Sequence, residues 1–248
     1  MAGTGAVHRT NAVDGPGRLG SLLSGLAVAV GCVVFLGGFV WGAVVYQPYT
    51  VPTDSMTPTV KAGDRVLAQR IDGEQVRRGD VVVFTDAVWG DAPMVKRIVG
   101  IGGDRVECCD ARGRLSVNGK ALEEPYLQGD GPASYTQFST EVPQGKLFLL
   151  GDYRSTSVDS RGHLMDSTQG AVPVSAVRGR VDAVAWPMGG MVERPSDFAA
   201  LPGGVSRPGP IALVLGSVVA GAVLILGGAA YGSVARLFVR RRVASGAR

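Results

Sequence analysis

Two long apolar runs bracket the chain: no charged side chain occurs from Leu19 to Thr53 or from Gly209 to Ala235. Each exceeds the roughly 20 apolar residues needed to cross a bilayer core, so membrane-spanning helices are predicted over 19–46 and 211–235. The first run, LLSGLAVAVGCVVFLGGFVWGAVVY, is far longer than the roughly 7–15 residue core of a cleavable signal peptide. Trp41, Tyr46 and Tyr49 cluster at its far end, where an interfacial aromatic belt would lie. The second run, IALVLGSVVAGAVLILGGAAYG, is rich in Gly and Ala and leads into three arginines, which argues against a buried core helix. Between the spans the pattern changes. Short β-rich runs recur without helical periodicity: DRVLAQR, DVVVFT, MVKRIVGI, RLSVNG, KLFLLGD and GRVDAVAW. Asn118-Gly119 between apolar residues signals a hairpin, and Gly63-Asp64, Gly79-Asp80 and Gly103-Asp104 mark turns. PYLQGDGPASYTQFST reads as a long exposed loop. The expected fold class is mainly β, an antiparallel domain flanked by two transmembrane helices.

Charge adds an orientation. The tails outside the spans carry seven basic and one acidic side chain, whereas residues 54–207 hold 18 basic and 20 acidic ones. Arginines beyond the outer ends of both spans place both termini in the cytoplasm and the middle of the chain outside it. A nucleic-acid binder concentrates basic charge on its folded domain, and this chain does the reverse. The expected division is a cytoplasmic tail at 1–18, the first span at 19–46, an extracytoplasmic β domain at 47–186, a Pro/Gly-rich linker at 187–210, the second span at 211–235 and a basic cytoplasmic tail at 236–248. The five prolines of the linker predict an extended tether. Three cysteines and two histidines provide neither a disulfide scaffold nor a zinc site. Adjacent Cys108 and Cys109 are compatible with a vicinal disulfide or with two thiols.

Four stretches carry candidate chemistry: VPTDSMTPTV at 51–60, GDRVLAQR at 63–70, RRGDVVVFTDAVWGDAPMVKRIVGIGGDRVE at 77–107 and GDYRSTSVDSR at 151–161. In this order after an N-terminal anchor, they resemble the boxes of bacterial type I signal peptidases, over about residues 19–185. The resemblance implies an extracytoplasmic β domain of the signal peptidase type and a Ser–Lys dyad, with Ser55 as nucleophile and Lys96 as general base. It implies supporting roles for Ser157, whose hydroxyl would hydrogen-bond the lysine, for the ion pair Asp159–Arg161, and for Thr53 as an oxyanion donor beside the Ser55 N–H. Val51, Pro52, Met56, Val60, Met94 and Val95 match positions lining shallow pockets that accept small residues, typically Ala, before the scissile bond. The implied activity is cleavage of signal peptides from membrane-tethered preproteins by a monomer at the lipid bilayer, with no cofactor or metal. A membrane-tethered module that captures extended peptides without turnover is the competing class, and a protease dedicated to one substrate shares the chemistry.

The residues support this chemistry independently. A serine hydroxyl needs an adjacent base at neutral pH, and the chain lacks the G-x-S-x-G elbow of α/β-hydrolases. A lysine at its ordinary pKa is only about 0.04% neutral at pH 7, and a working base needs a downward shift of roughly 3 units, which burial can supply. Strand alternation puts Met94, Lys96 and Ile98 on one face and turns Arg97 to the other. Nine residue steps separate Tyr46 from Ser55, a reach of at most roughly 30 Å, so the nucleophile is expected to work close to the bilayer. His163 reads as an exposed loop side chain outside the dyad. Tyr153 and Thr156 replace two asparagines of the last box, and Asp54 stands where Gly is frequent, close enough to oppose an oxyanion unless it points away.

Overall fold

The computed structural model describes the backbone of residues 16–187 and 189–245 and the side chains of 20–187 and 189–234, so the charged groups of both tails lie outside the described residues. In chain order the elements are helix α1 (Pro16–Val45), strands β1 (Tyr46–Thr50), β2 (Arg65–Gln69), β3 (Val81–Asp86), β4 (Gly90–Ile101), β5 (Arg105–Cys108), β6 (Leu115–Val117), β7 (Lys120–Ala121), β8 (Phe138–Glu141), β9 (Lys146–Leu150), β10 (Ala171–Pro173), β11 (Val177–Trp186) and β12 (Gly190–Met191), helix α2 (Ser196–Ala199) and helix α3 (Ile211–Ser245).

The two predicted spans are helical, with mean hydropathy 2.4 over Gly20–Val45 and over Ile211–Val234. Only 11% and 22% of their most apolar windows is buried, so neither is the core helix of a globule. They pack antiparallel through small residues. A Cβ on Gly31 would fall 2.9 Å from the Gly221 carbonyl oxygen, one on Gly42 2.9 Å from Val214, and one on Gly221 2.5 Å from the Phe35 nitrogen. Ser24 Oγ donates to the Gly228 carbonyl at 2.7 Å. In a bilayer, where burial of apolar surface offers no net gain, such close backbone approach is what holds helices together.

Residues 43–211 form a separate unit of two antiparallel sheets. The larger runs β1-β2-β11-β3-β4-β9-β10 with β12 paired to β11, and the smaller runs β7-β6-β5-β8. All six apolar runs read from the sequence are strands. The continuous burial of Val81–Phe84 follows from cover on both faces: Val81 and Val83 pack with Val66, Val95 and Val181, while Val82 and Phe84 pack with Ile98, Leu147 and Leu149. The Asn118-Gly119 hairpin forms as predicted, with both residues at positive φ (53° and 76°) between paired Val117 and Lys120. The three Gly-Asp pairs share one turn. Each aspartate N–H donates to the carbonyl three residues back, and its carboxylate accepts that residue's N–H: Lys61 to Asp64, Arg77 to Asp80 and Ile101 to Asp104. Cys108 and Cys109 are joined by a disulfide.

The expected tether at 187–210 is instead docked. The chain turns back as β12, Phe198 is fully buried in the cluster with Val99, Leu115 and Phe148, and Leu201 joins it. Polar anchors reinforce the path. Arg194 donates to Asp182 at 2.6 Å and to Ser206 at 2.9 Å, Ser206 donates to Asp80, Arg78 to the Pro202 carbonyl, and the Gly209 N–H to Asp182. Asp182 also accepts the Tyr46 hydroxyl at 3.0 Å, so one buried carboxylate ties Tyr46, near the start of the unit, to Gly209, near its end. Prolines and glycines kept this stretch from forming long elements, but its few apolar side chains were enough to seat it.

Candidate active site

Ser55 sits in the loop between β1 and β2, half-buried, on a segment fastened from several sides. The Val51 N–H donates to the Asp64 carbonyl and the Gly63 N–H to the Val51 carbonyl, closing the loop at its base. Met56 and Val60, one helical turn apart and bonded Val60 N–H to Met56 carbonyl, have no exposed surface and root the loop in the core. Asp54 is exposed, and its carboxylate is engaged within its own loop. It accepts the Ala62 N–H at 3.0 Å and the Thr57 hydroxyl at 3.4 Å, so it braces the loop. Thr53 Oγ1 lies 3.3 Å from Ser55 Oγ, and the Ser55 N–H is not engaged by any acceptor among the described residues.

Lys96 reaches the same hydroxyl from β4, where it lies opposite Val82 of β3; its Nζ is 2.6 Å from Ser55 Oγ. The residue is 5% exposed. Burial pulls its amine down to about 8, against the opposing influence of Asp159 and Asp152 and with some help from Arg161. At that value about 9% of the amine is neutral at pH 7. The two carboxylates offset only part of the burial, and each is already committed to an arginine. Asp159, fully buried, takes the Arg161 guanidinium through both oxygens at 2.8 Å and the Gly151 N–H at 3.0 Å. Asp152 takes Arg97 at 2.8 and 2.6 Å. Arg97 is on the face opposite Lys96, as alternation required, but it is buried rather than solvated: its guanidinium also donates to the Gly79 carbonyl and lies 4.1 Å from the centre of the Tyr126 ring.

The other expected site residues divide. Asp159 and Arg161 form their pair next to the lysine. The Ser157 hydroxyl does not bond Lys96: its oxygen is buried without a hydrogen-bond partner. It is packed against Gly151, where a Cβ would also fall 2.5 Å from the Ser55 carbonyl oxygen, so only glycine fits that position. Of the residues expected to line shallow pockets, Val51, Met56, Val60 and Val95 belong to one buried cluster at 2%, 0%, 0% and 7% exposure, a floor rather than open walls. Met56 and Val60 are core packing, because neither has surface to offer. Pro52 is exposed, and Met94 is half-buried against the other cluster, beside Phe84. His163 is not a bare loop side chain; its ring stacks on Trp89. Sequence reasoning missed Asp152 and its hold on Arg97. The signal was present in the Gly151-Asp152 dipeptide, the same pairing that marks the three turns.

One feature of the sheet completes the geometry. Strand β3 lines one side of β4, from Arg97 to Gly90, but on the other side β9 pairs only with Arg97–Ile101. The edge of Gly90–Lys96 on that side has no strand partner among the described residues, and Gly90–Pro93 are exposed. An unpaired strand edge therefore ends at the amine that touches the serine. Such an edge accepts an extended peptide through main-chain hydrogen bonds.

Comparison with known proteins gives the chain a family. A family model described as signal peptidase, peptidase S26, matches residues 22–186. A probable signal peptidase I of Mycobacterium leprae (strain TN) is 32% identical over 201 residues, covering 58% of this chain and 69% of the relative. Signal peptidase IB of Staphylococcus aureus (strain Mu50 / ATCC 700699) is 34% identical over 180 residues, covering 65% of this chain and 87% of its own. A crystal structure of a signal peptidase I from Enterococcus faecalis V583 aligns at 28% identity and a TM-score of 0.35, over 42% of this chain and 94% of that one.

Proposed function

Because this chain belongs to the peptidase S26 family of signal peptidases and is a membrane-anchored serine peptidase, we propose that it removes signal peptides from exported preproteins with Ser55 and Lys96 as its dyad. The observation that carries this is the 2.6 Å approach of a buried amine of lowered pKa to a serine hydroxyl at the end of an unpaired strand edge. Neutral Lys96 takes the hydroxyl proton as Ser55 Oγ attacks the scissile carbonyl. The Ser55 N–H and the Thr53 hydroxyl, whose oxygen lies 3.3 Å from Ser55 Oγ, serve as the oxyanion donors in this reading. Collapse breaks the C–N bond, the Lys96 ammonium gives its proton to the departing amine of the mature protein, and the signal peptide remains as an ester on Ser55. Lys96 then takes a proton from water, the hydroxide attacks the ester, the Lys96 ammonium returns that proton to the Ser55 oxygen, and the signal peptide leaves as a carboxylic acid that gives up its own proton to bulk water.

The substrate enters as an added strand on Gly90–Lys96. The closed floor of Val51 and Val95 leaves room only for small side chains before the cut, which gives Ala-x-Ala selection by crowding. Both termini are cytoplasmic and the domain is outside, an arrangement supported by the antiparallel pairing of α1 and α3 and by the arginine-rich tails. The test is cleavage of an Ala-x-Ala preprotein in detergent. Ser55→Ala and Lys96→Ala are each expected to abolish it, and a substrate with a bulky residue just before the cut is expected to resist the wild type. Retained cleavage by either variant would remove the dyad.

A further inference from the structure

Beyond the dyad, we propose that His163 and Trp89 form a positioning clamp that fixes the unpaired half of β4, and so sets how well a long substrate binds. This rests on the reading that substrate adds to that edge. Trp89 lies in the turn between β3 and β4, where the Val88 N–H donates to the Asp86 carboxylate at 2.9 Å and the Trp89 N–H to the Asp86 carbonyl at 3.2 Å. One side of its indole meets the edge of Phe84, with ring centres 5.4 Å apart at 82°. Its face stacks on the His163 imidazole, 4.5 Å apart at 14°.

The imidazole comes from the other side of the site. His163 ends the short 3-10 turn Ser160–His163, which begins at Asp159, the carboxylate held by Arg161 beside Lys96. That turn is rooted in the sheet: the Ser160 hydroxyl accepts the Leu149 N–H of β9 at 2.8 Å and donates to the Gly170 carbonyl at 2.7 Å. Asp166 Oδ2 lies 2.7 Å from His163 Nδ1 and aims the ring. The stack therefore joins the catalytic loop, anchored on β9, to the far end of the hairpin whose edge β9 leaves open.

The hairpin end needs such a hold. Past Met94 its pairing with β3 is irregular, with a register shift between Phe84 and Asp86, and Val88 and Gly90–Pro93 are exposed. Two strands alone are marginally ordered in water, and a substrate pairing with a mobile edge loses affinity to the ordering it must impose. Aromatic stacking is a small but specific restraint of the kind that sets such a pose. Neither ring is hydrogen-bonded to Ser55 or Lys96 among the described residues, so the clamp acts on binding and leaves the chemical step alone.

The test compares His163→Ala and His163→Phe in the full-length protein, with a preprotein long enough to lie along Gly90–Lys96 and a short peptide covering two residues on either side of the cut. His163→Ala is expected to raise KM for the preprotein about three- to tenfold with kcat within about twofold, to speed amide exchange at 86–93, and to leave the short peptide's kinetics unchanged. His163→Phe keeps a flat ring on Trp89 and is expected to restore the wild-type KM. The proposal is overturned if His163→Phe is as impaired as His163→Ala, if both substrates lose equally, or if kcat falls while KM stays. Wild-type kinetics in His163→Ala also overturns it. None of these outcomes touches the dyad, which stands or falls on Ser55→Ala.

Discussion

Replacing Lys96 with Met should make the protein more stable at neutral pH while abolishing its activity. The amine is lowered from 10.5 to about 8, with burial as the leading cause. Each unit corresponds to about 1.4 kcal/mol, so holding this lysine charged in the folded state costs about 3 kcal/mol at pH 7. The sign follows from proton binding. Below pH 8 both the folded and unfolded chains carry the proton and the penalty is complete. Between pH 8 and 10.5 the unfolded chain binds more protons than the folded one, so stability rises with pH, and above 10.5 the penalty is gone. Methionine has a similar length and no charge to desolvate; it gives up the contact with Ser55, worth about 1 kcal/mol. The net expectation is about 2 kcal/mol of added stability at pH 7, shrinking to nothing or reversing by pH 10.5.

Guanidinium denaturation of the detergent-solubilised full chain, followed by tryptophan fluorescence at pH 7 and pH 10.5, measures it. Taking the difference between wild type and variant at each pH cancels the groups they share. The wild type's kcat/KM should meanwhile climb with pH to a midpoint near 8. A variant that is less stable at pH 7, or a stability difference that does not vary with pH, would refute the argument, as would an activity midpoint near that of a hydrated lysine.

Three other perturbations follow from the same contacts. Arg161→Met leaves Asp159 without its cation beside Lys96; the released charge should hold the lysine proton more tightly and move the activity midpoint about one unit alkaline, read from kcat/KM against pH. Phe198→Ala empties a fully buried site and should cost about 3–5 kcal/mol, with protease cleavage concentrating at 187–210 in limited digestion; an unchanged digestion pattern would return that stretch to the status of a tether. Asp54→Ala removes the acceptor of the Ala62 N–H and should cost about 1 kcal/mol with a fall in kcat of less than tenfold, whereas a gain in kcat would mean that the carboxylate opposes the oxyanion after all.

What could be read from the sequence was what depends on neighbours along the chain. The apolar spans, the six strands, the Asn118-Gly119 hairpin and the placement of Arg97 on the strand face opposite Lys96 all follow from local pattern, and each is present. The candidate dyad was legible because its boxes are contiguous, although nothing in the sequence gave the distance between residues 41 positions apart. Features with a distant partner were misread. Phe198 is one apolar residue among prolines, and only the cavity formed by Val99, Leu115 and Phe148 gives it a place. Met56 and Val60 were expected to line a pocket because they match family positions that do; their complete burial depends on β2, β3 and β11 closing over them. Ser157 was assigned a hydrogen bond that its packing against Gly151 does not make.

The distribution of buried charge explains why the lysine, of all the cations near the site, is the one suited to be the base. Arg78 is paired with Asp104, Arg97 with Asp152, Arg154 with Glu124, Arg161 with Asp159, and Arg180 and Arg194 share Asp182. A buried cation left alone is costly unless it can lose its proton, and arginine cannot. Lys96 is the exception to this pairing among the buried cations described, and its one hydrogen-bond partner is an uncharged hydroxyl. Had either nearby carboxylate been free to bond it, the amine would have stayed charged and useless as a base. In the proposed mechanism the arginines at 97 and 161 therefore bear on catalysis without touching substrate, by occupying Asp152 and Asp159. An Asp-x-Arg spacing that folds back on itself across a 3-10 turn is one compact way to bring a carboxylate close to a lysine while keeping it from the lysine's proton.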